Sequence, residues 1–249
     1  MINIPDRDTQ FKTWKRHGSH MTSDVLGWDD EKPAAAGVLP FCVVEGKVFL
    51  LLGRESYRNG FSANHTWCDF GGVTSNVQEK TSVHIAAQEL QEESFGSIIE
   101  GPLTTVIEYI IHNTLVRVSS DLGSKTPYHM YVVQIPYCDI PNIFMARHRV
   151  AKQYQNCDNT CMDKSRLMLK STQPCGFRIN GKVRKTWLEK DDMKWVSLQH
   201  VKDMHLNFRK EFYQTLVRYH IIDQLHEFGR VSTLPKGCPV VCSPEPDIF

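Results

Sequence analysis

A predicted β-hairpin near the start of the patterned sequence places the strongest constraint on the fold. Residues 37–44 and 47–54 are both rich in β-forming residues, and the dipeptide Glu45-Gly46 separates them. Two such runs joined by a short turn containing glycine predict a pair of antiparallel strands. Every later element must therefore extend, or pack against, a sheet that this hairpin begins.

Two helices are predicted from the spacing of side chains. The first covers residues 82–94, with Thr81 or Ser82 as its N-cap. The second covers residues 207–228 and carries four apolar side chains that are spaced to share one face, namely Phe208, Phe212, Leu216 and Tyr219.

Further strands are predicted by short apolar and β-branched runs at residues 65–70, 103–112, 128–136 and 193–198. The order of elements is then strands, one helix, more strands and a closing helix. This order favours an α/β fold in which a mixed β-sheet is sandwiched between helices.

The patterned elements define one predicted domain at residues 34–228. A length of 249 residues suits one large domain or two small ones. Residues 1–33 are predicted as an N-terminal extension, and residues 229–249, which carry four prolines, as a flexible C-terminal tail. Residues 146–190 are polar and basic without clear periodicity, and we expect them to form a loop-rich insertion within the domain.

Composition excludes several classes of protein. The charged fraction of 23% and the aromatic fraction of 10% are typical of a folded chain, not of a disordered one. No run reaches the roughly 18 consecutive apolar residues that a membrane-spanning helix needs. Residues 1–33 lack the apolar core of a secretory signal, so we expect a cytoplasmic protein with reduced cysteines and no membrane partner. Five cysteines could alternatively contribute to a four-thiolate zinc site, although their spacing is irregular for one: Cys157, Cys161, Cys175, Cys238 and Cys242.

A cluster of glutamates on the first predicted helix points to chemistry. Glu89, Glu92 and Glu93 are spaced i, i+3 and i+4, which predicts three carboxylates on one side of the helix. Like charges at these spacings destabilise a helix, so something should compensate for them. A solvated face balanced by basic residues is one explanation, but Lys80 precedes the helix by a turn and residues 82–94 contain no Lys or Arg. The other explanation is a hard divalent cation, Mg²⁺ or Mn²⁺, which prefers carboxylate oxygens.

The sequence around these glutamates resembles the signature of the Nudix hydrolases. A strand containing Trp67 ends in Gly71-Gly72, and the sequence Ala-Ala-Gln-Glu-Leu-Gln-Glu-Glu-Ser follows at residues 86–94. The opening hairpin and a late strand containing Trp195 are also similar to the family. The resemblance spans residues 34–228, with its specific motif at residues 71–96.

The resemblance implies a Nudix fold and a metal-dependent hydrolase that cleaves a nucleoside diphosphate linked to another group. Gly71 and Gly72 lack side chains, so the backbone there can approach a substrate phosphate closely. Arg54, at the end of the second strand, is a candidate phosphate contact. The residues implied to bind Mg²⁺ or Mn²⁺ and to form the catalytic centre are Glu89, Glu92 and Glu93.

Several positions depart from the family signature. Gln88 stands where the family has Arg, and Lys80 stands where it has an early Glu, with Glu79 one residue too early. The loop after Gly72 is longer than the signature, and Gly96 comes one residue late. Because the family's Arg and early Glu are expected to support the loop and helix, their joint loss indicates that a structural pair has been replaced. The departures also keep a second hypothesis open, a Nudix-fold module that binds a nucleotide or RNA with little or no turnover.

The distribution of charge bears on the substrate. The whole chain has a formal net charge of +1, but residues 146–190 contain eleven Lys and Arg against three Asp and Glu. A basic segment beside a phosphate-cleaving centre can attract a polyanion. The 5′ end or cap of RNA is therefore one predicted substrate, and a small nucleotide derivative is the other. A solvated loop without a partner explains the same charges equally well.

Overall fold

The computed structural model describes residues 35–58, 60–73, 81–120, 128–156, 178–179, 182–183, 185–203 and 206–231. The predicted N-terminal extension, most of the predicted tail and the five cysteines of the alternative zinc site lie outside these residues. Glu79 and Lys80 also lie outside them. What is described is therefore most of the predicted domain, without residues 74–80, 121–127, the central part of the basic segment and a few single positions.

The described part of the chain contains both strands and helices. The strands are β1 (Ala35–Val44), β2 (Lys47–Glu55), β3 (Trp67–Cys68), β4 (Phe70–Val73), β5 (Thr114–Ser120), β6 (Tyr128–Gln134), β7 (Arg178–Ile179), β8 (Lys182–Val183) and β9 (Lys190–Ser197). The helices are α1 (Ser82–Ser94), α2 (Leu103–Asn113), α3 (Ile140–Asn156), α4 (Leu198–Lys202), α5 (Lys210–Arg218) and α6 (Ile221–Val231), with a short 3₁₀ helix at Lys185–Leu188. None of the described helices is both long enough and apolar enough to cross a membrane.

Among the described residues, seven strands form one mixed sheet. The predicted hairpin is confirmed, since β1 and β2 are antiparallel and Val44 lies opposite Lys47. β1 also runs parallel to β6 and antiparallel to β4, while β2 pairs with both β3 and β9. The parallel pairing of β1 with β6 is what makes the sheet mixed.

Helices cover both faces of this sheet, which confirms the predicted α/β architecture. On one face, α1, α2 and α3 pack on a core that includes Val38 and Val133. On the other face, α4, α5 and α6 pack on a core that includes Phe41 and Val132. Successive strand residues point to opposite faces, so the apolar run of β1 contributes to both cores.

The strand predicted at residues 103–112 is wrong, because this segment is helix α2. Pro102 is its N-cap, and Val106 and Ile110 are its buried residues. Those two residues are four positions apart, which is the spacing of one helical face. Packing of that face against α1 and β6 overrides the β preference of a sequence rich in Ile, Val and Tyr.

The start of the basic segment is helical, so the prediction of a loop there is wrong. Residues 146–156 belong to α3. Among the side chains described for residues 140–152 of this helix, the buried ones are Ile140, Phe144, His148 and Ala151. This helical spacing is hard to detect in the sequence, because Ile140 and Phe144 precede the basic segment and His148 is polar.

The predicted closing helix is interrupted. His220 has a φ of +52°, in the left-handed region, and separates α5 from α6. Residues 207–209 are not helical but run beside β3, where the backbone N–H of Trp67 donates to the carbonyl of Asn207 at 2.8 Å. The four apolar residues that predicted the helix nevertheless share one core, as expected.

Stability should fall in mild acid because His148 is buried against Phe144, with ring centroids 5.5 Å apart. Burial lowers the pKa of His148 from 6.5 to about 4, so the folded state holds the ring neutral. Its contribution is complete above the unfolded pKa and is lost as the pH falls from 6.5 toward 4. The loss should reach up to about 1.4 kcal/mol per pH unit, measured by urea unfolding. His148→Phe should flatten this dependence and the exposed control His226→Gln should not; equal slopes for His148→Phe and the native chain would contradict the assignment.

Candidate functional site

Helix α1 positions the candidate carboxylates because both of its ends are fixed. Thr81 is the N-cap, and its hydroxyl accepts a hydrogen bond from the backbone N–H of His84. At the other end, Phe95 adopts a φ of +54°, and the N–H of Gly96 donates to the carbonyl of Gln91 at 2.9 Å. The apolar face of α1 is buried against the sheet through small and aliphatic residues, including Val83, Ala86, Ala87 and Leu90.

Two of the predicted glutamates lie against the two glycines of β4. Oε2 of Glu93 accepts a hydrogen bond from the backbone N–H of Gly71 at 2.7 Å. A Cβ placed on Gly72 would lie 2.6 Å from Oε2 of Glu89, so this carboxylate fills the space that a side chain would need. The structure therefore brings together Glu89, Glu93 and the glycine backbone.

The third predicted glutamate, Glu92, is bonded elsewhere. Its Oε1 accepts a hydrogen bond from Nε2 of Gln88 at 2.9 Å, and its side chain is buried. Within the residues that the structure describes, no three His, Cys, Asp or Glu side chains are grouped so that they could hold a metal ion. The three carboxylates therefore do not converge on one point.

A buried lysine lies behind Glu93. Nζ of Lys190 is 2.8 Å from Oε1 of Glu55 and 3.2 Å from Oε1 of Glu93. It also donates to Sγ of Cys68 at 3.1 Å, and the thiol of Cys68 donates to Oε1 of Glu55 at 3.3 Å. All four side chains are almost completely buried. Two carboxylates in the core thus share one ammonium group.

Burial and ion pairing act in opposite directions on these groups. Burial raises the pKa of Glu93 well above its usual value, although the charge of Lys190 opposes the rise. Burial also raises the pKa of Glu55, but Lys190, Cys68 and Arg209 together bring it below the usual value. For Lys190, burial lowers the pKa, but Cys68, Glu93 and Glu55 raise it well above that of an exposed lysine. The ammonium of Lys190 is therefore charged at neutral pH.

A pocket of about 220 Å³ opens beside the glycines. Its polar wall includes Asp69, Tyr128 and Arg209, and the hydroxyl of Tyr128 donates to Oδ2 of Asp69 at 2.7 Å. Burial raises the pKa of Asp69 and that of Tyr128, so the phenol remains a hydrogen-bond donor. The other walls combine hydroxyl and apolar groups, among them Ser120, Met130, Phe212 and Thr215.

Arg54, the predicted phosphate contact, does not line this pocket. Its Nε donates to Oδ1 of Asp191 at 2.8 Å, and its guanidinium lies 5.8 Å from the ring centre of Trp67. The pocket instead contains Arg209, which lies 3.6 Å from Oε1 of Glu55. Arg209 is the better placed of the two cations to meet a ligand in the pocket.

Sequence reasoning missed Glu55, Lys190 and Arg209. Lys190 lies in the run Glu189-Lys190-Asp191-Asp192, which has the composition of a solvated surface. The pairing of β2 with β9 sets Glu55 opposite Lys190, and this register is not encoded by any local motif. The available signal was indirect, namely the departures at Gln88 and Lys80 that indicated a replaced structural pair.

The donor set at the glycines suits a divalent cation that is completed by substrate. Mg²⁺ in proteins is usually held by one or two carboxylates, with water and substrate phosphates as its remaining ligands. Glu89 and Glu93 supply two carboxylates one helical turn apart, and the charge of Glu89 contributes to raising the pKa of Glu93. Of the three predicted ligands, Glu89 and Glu93 lie together at the glycines and would suit Mg²⁺ or Mn²⁺ there, whereas Glu92 is bonded to Gln88.

Comparison with known proteins finds structural likeness but no match of sequence. No family model and no curated protein matches the chain. The Nudix hydrolase RenU from M. smegmatis is 11% identical, with a TM-score of 0.40 over 78% of this chain and 88% of that one. The Ap4A hydrolase of C. elegans is 13% identical, with a TM-score of 0.38 over 77% and 98%. The Nudix domain of NrtR from Shewanella oneidensis, solved with ADP ribose, is 12% identical, with a TM-score of 0.38 over 83% and 98%.

The two glycines should respond differently to the same substitution. In Gly71→Ala, the new Cβ would lie 2.1 Å from Oη of Tyr128 and 2.7 Å from Cα of Gly37. Because that backbone cannot yield, overpacking should lower the free energy of unfolding by about 1–3 kcal/mol. Gly72→Ala should displace the flexible end of Glu89 instead, at a cost of about 0.5 kcal/mol. Urea unfolding compares the two variants, and equal destabilisation would contradict the placement of Glu89.

Proposed function

We propose that this chain is a metal-dependent hydrolase that cleaves the diphosphate linkage of a nucleotide derivative. The observation that carries this function is the position of Glu89 and Glu93, which lie against the side-chain-free backbone of Gly71 and Gly72. The pocket beside that backbone has room for a ligand of about the size of one nucleoside. The two glycines are therefore the shared element of the site, since both carboxylates lie against them and both glycines line the pocket.

Each part of the site supports a defined role in this proposal. Gly71 and Gly72 line the pocket, so their backbone forms a wall that a bound ligand would face. Arg209 offers a guanidinium, whose planar set of donors matches a phosphate. Phe212 and Met130 give the pocket apolar walls that suit a base or sugar face.

Glu89 and Glu93 are the residues that hold Mg²⁺ or Mn²⁺ in this proposal. When bound, such an ion supplies neutralisation of charge on the phosphoryl oxygens and a lower pKa for an attacking water. The chain orients Glu93 through both of its oxygens, since one accepts from Gly71 and the other contacts Lys190. Glu92 and Arg54 are assigned supporting positions, because Gln88 and Asp191 already bind them.

The proposal includes two classes of substrate. The pocket of about 220 Å³ would take one end of a small nucleotide derivative, such as a nucleotide sugar or a dinucleoside polyphosphate. The basic segment favours the 5′ end or cap of RNA, and its described part presents Arg149 and Lys152 as exposed cations on α3. A panel that contains both classes distinguishes them.

A nucleotide-binding module with little or no turnover is the second candidate function. It is favoured by one observation, the ion pair of 3.2 Å that already engages Glu93 with Lys190. Metal-independent nucleotide binding, with no turnover of any substrate in the panel, would select this candidate.

Hydrolysis should require a divalent cation and both of the glutamates that lie against the glycines. Glu89→Gln and Glu93→Gln should each lower kcat by at least about a hundredfold, because metal-assisted charge stabilisation is worth several kcal/mol. Product release is measured with capped RNA, dinucleoside polyphosphates, nucleotide sugars and nucleoside triphosphates, with and without Mg²⁺ or Mn²⁺. The matched control is Glu108→Gln, an exposed glutamate on α2. Turnover without metal, or full activity of Glu93→Gln, would remove the hydrolase proposal.

If RNA is the substrate, its affinity should depend on the exposed cations of α3. Reversal of both charges in Arg149→Glu/Lys152→Glu should weaken binding of a 5′-phosphorylated oligonucleotide. The slope of log K against log salt should flatten by about 1–1.5, since each contact with a single strand contributes about 0.7. The control Lys47→Glu/Arg230→Glu makes the same change in net charge at exposed residues outside the basic segment. A slope that changes equally in both variants, or in neither, would exclude α3 as the RNA contact.

A further inference from the structure

We infer that the ammonium of Lys190 occupies a cation-binding site between Glu55 and Glu93 and serves there as a covalently attached counter-ion, in a place that a divalent cation would otherwise fill. This assignment rests on the proposed function in one respect. The divalent ions of that function would bind only on the side of Glu93 that faces Glu89 and the glycines. Lys190 is then a positioning residue for Glu93.

The geometry around Nζ is that of a filled coordination shell. Oε1 of Glu55, Sγ of Cys68 and Oε1 of Glu93 lie at 2.8, 3.1 and 3.2 Å from it. An ammonium group has three N–H donors and no acceptor. Three acceptors on three different elements therefore use all of its donors.

The neighbouring strand is shaped to admit the stem of this lysine. A Cβ placed on Gly53 would lie 3.1 Å from both Cγ and Cδ of Lys190 and 3.0 Å from Cε1 of Phe70. Any larger residue at position 53 would press on the stem and move the ammonium. Because Gly53 on β2 has no side chain, the stem of Lys190 has the space it needs to carry its ammonium into the core.

The two carboxylates depend on Lys190 to different degrees. Glu55 also pairs with Arg58 at 2.9 Å and lies 3.6 Å from Arg209. In the part of the chain that the structure describes, the ion pair found for Glu93 is the one with Lys190. Removal of the ammonium would therefore leave Glu55 with Arg58 and Arg209 as cationic partners, and would open a position beside Oε1 of Glu93 that a cation could fill.

This difference leads to a test in which a binding site is gained. Lys190→Ala removes the charge and opens space, whereas the matched control Lys190→Met removes the charge but keeps the stem volume. Mn²⁺ binding to the full chain is counted by isothermal titration calorimetry and by the paramagnetic resonance signal of free Mn²⁺. We expect Lys190→Ala to bind one more Mn²⁺ per chain than either the native protein or Lys190→Met. Adding Glu93→Gln to Lys190→Ala should abolish the extra ion.

Equal numbers of bound ions in the native protein and Lys190→Ala would overturn the inference. If Lys190→Ala is recovered unfolded, it is refolded with and without Mn²⁺: folding that depends on Mn²⁺ supports the inference, and failure with Mn²⁺ counts against it. None of these readouts requires turnover. A chain that gains the extra ion but hydrolyses nothing refutes the proposed hydrolase alone, and a chain that hydrolyses its substrate but gains no ion refutes the internal counter-ion alone.

Discussion

The contact of Lys190 with two buried carboxylates is the interaction on which the arrangement of the site depends. Each charged group loses several kcal/mol of solvation when it enters the core, and one partner alone cannot offset that loss. Here each carboxylate oxygen also has a hydrogen-bond or ion-pair partner, because Gly71 donates to Glu93 and Cys68 and Arg58 donate to Glu55. The group joins β2, β3, β9 and α1, so it fixes the helix that carries the glutamates relative to the sheet.

Helix α1 both packs on the sheet and carries the glutamates of the site. Its buried side contains Ala86 and Ala87, whose small side chains let the helix approach β1 and β4 closely. That closeness is what allows a glutamate side chain to reach the backbone of β4. The caps at Thr81 and Phe95 then fix the rotation of the helix, and the rotation decides which carboxylates face the glycines.

The features that could be predicted from sequence are those that depend on near neighbours in the chain. The hairpin turn, the Thr81 cap and the pair Gly71-Gly72 are local, and each lies where the pattern placed it. The spacing predicted Glu89, Glu92 and Glu93 on one side of α1, and in the structure Glu89 and Glu93 both lie against the glycines of β4. Glu92 lies about 100° around the helix from Glu93, because that is the angle between successive residues. Its side chain is therefore on the same side as Gln88, four residues earlier, to which it is hydrogen-bonded.

The features that could not be predicted depend on tertiary packing. The sequence of α2 has a β preference that loses to the burial of Val106 and Ile110. The start of the basic segment hides a helix because His148 occupies one of its buried positions. No local motif could identify Lys190 as the counter-ion of Glu93. Lys190 is brought to this place by pairing with the strand that carries Glu55, and these two residues are 135 residues apart in sequence.

The location of Lys190 also limits how this protein could change during evolution. The same residue closes the basic segment at residues 146–190 and begins the strand β9 that carries its ammonium into the core. A recombination event that exchanged this segment as a unit would also remove the positive charge that Glu93 needs. The segment also carries buried residues, among them His148 and Ala151, so such an exchange would alter the core at more than one point.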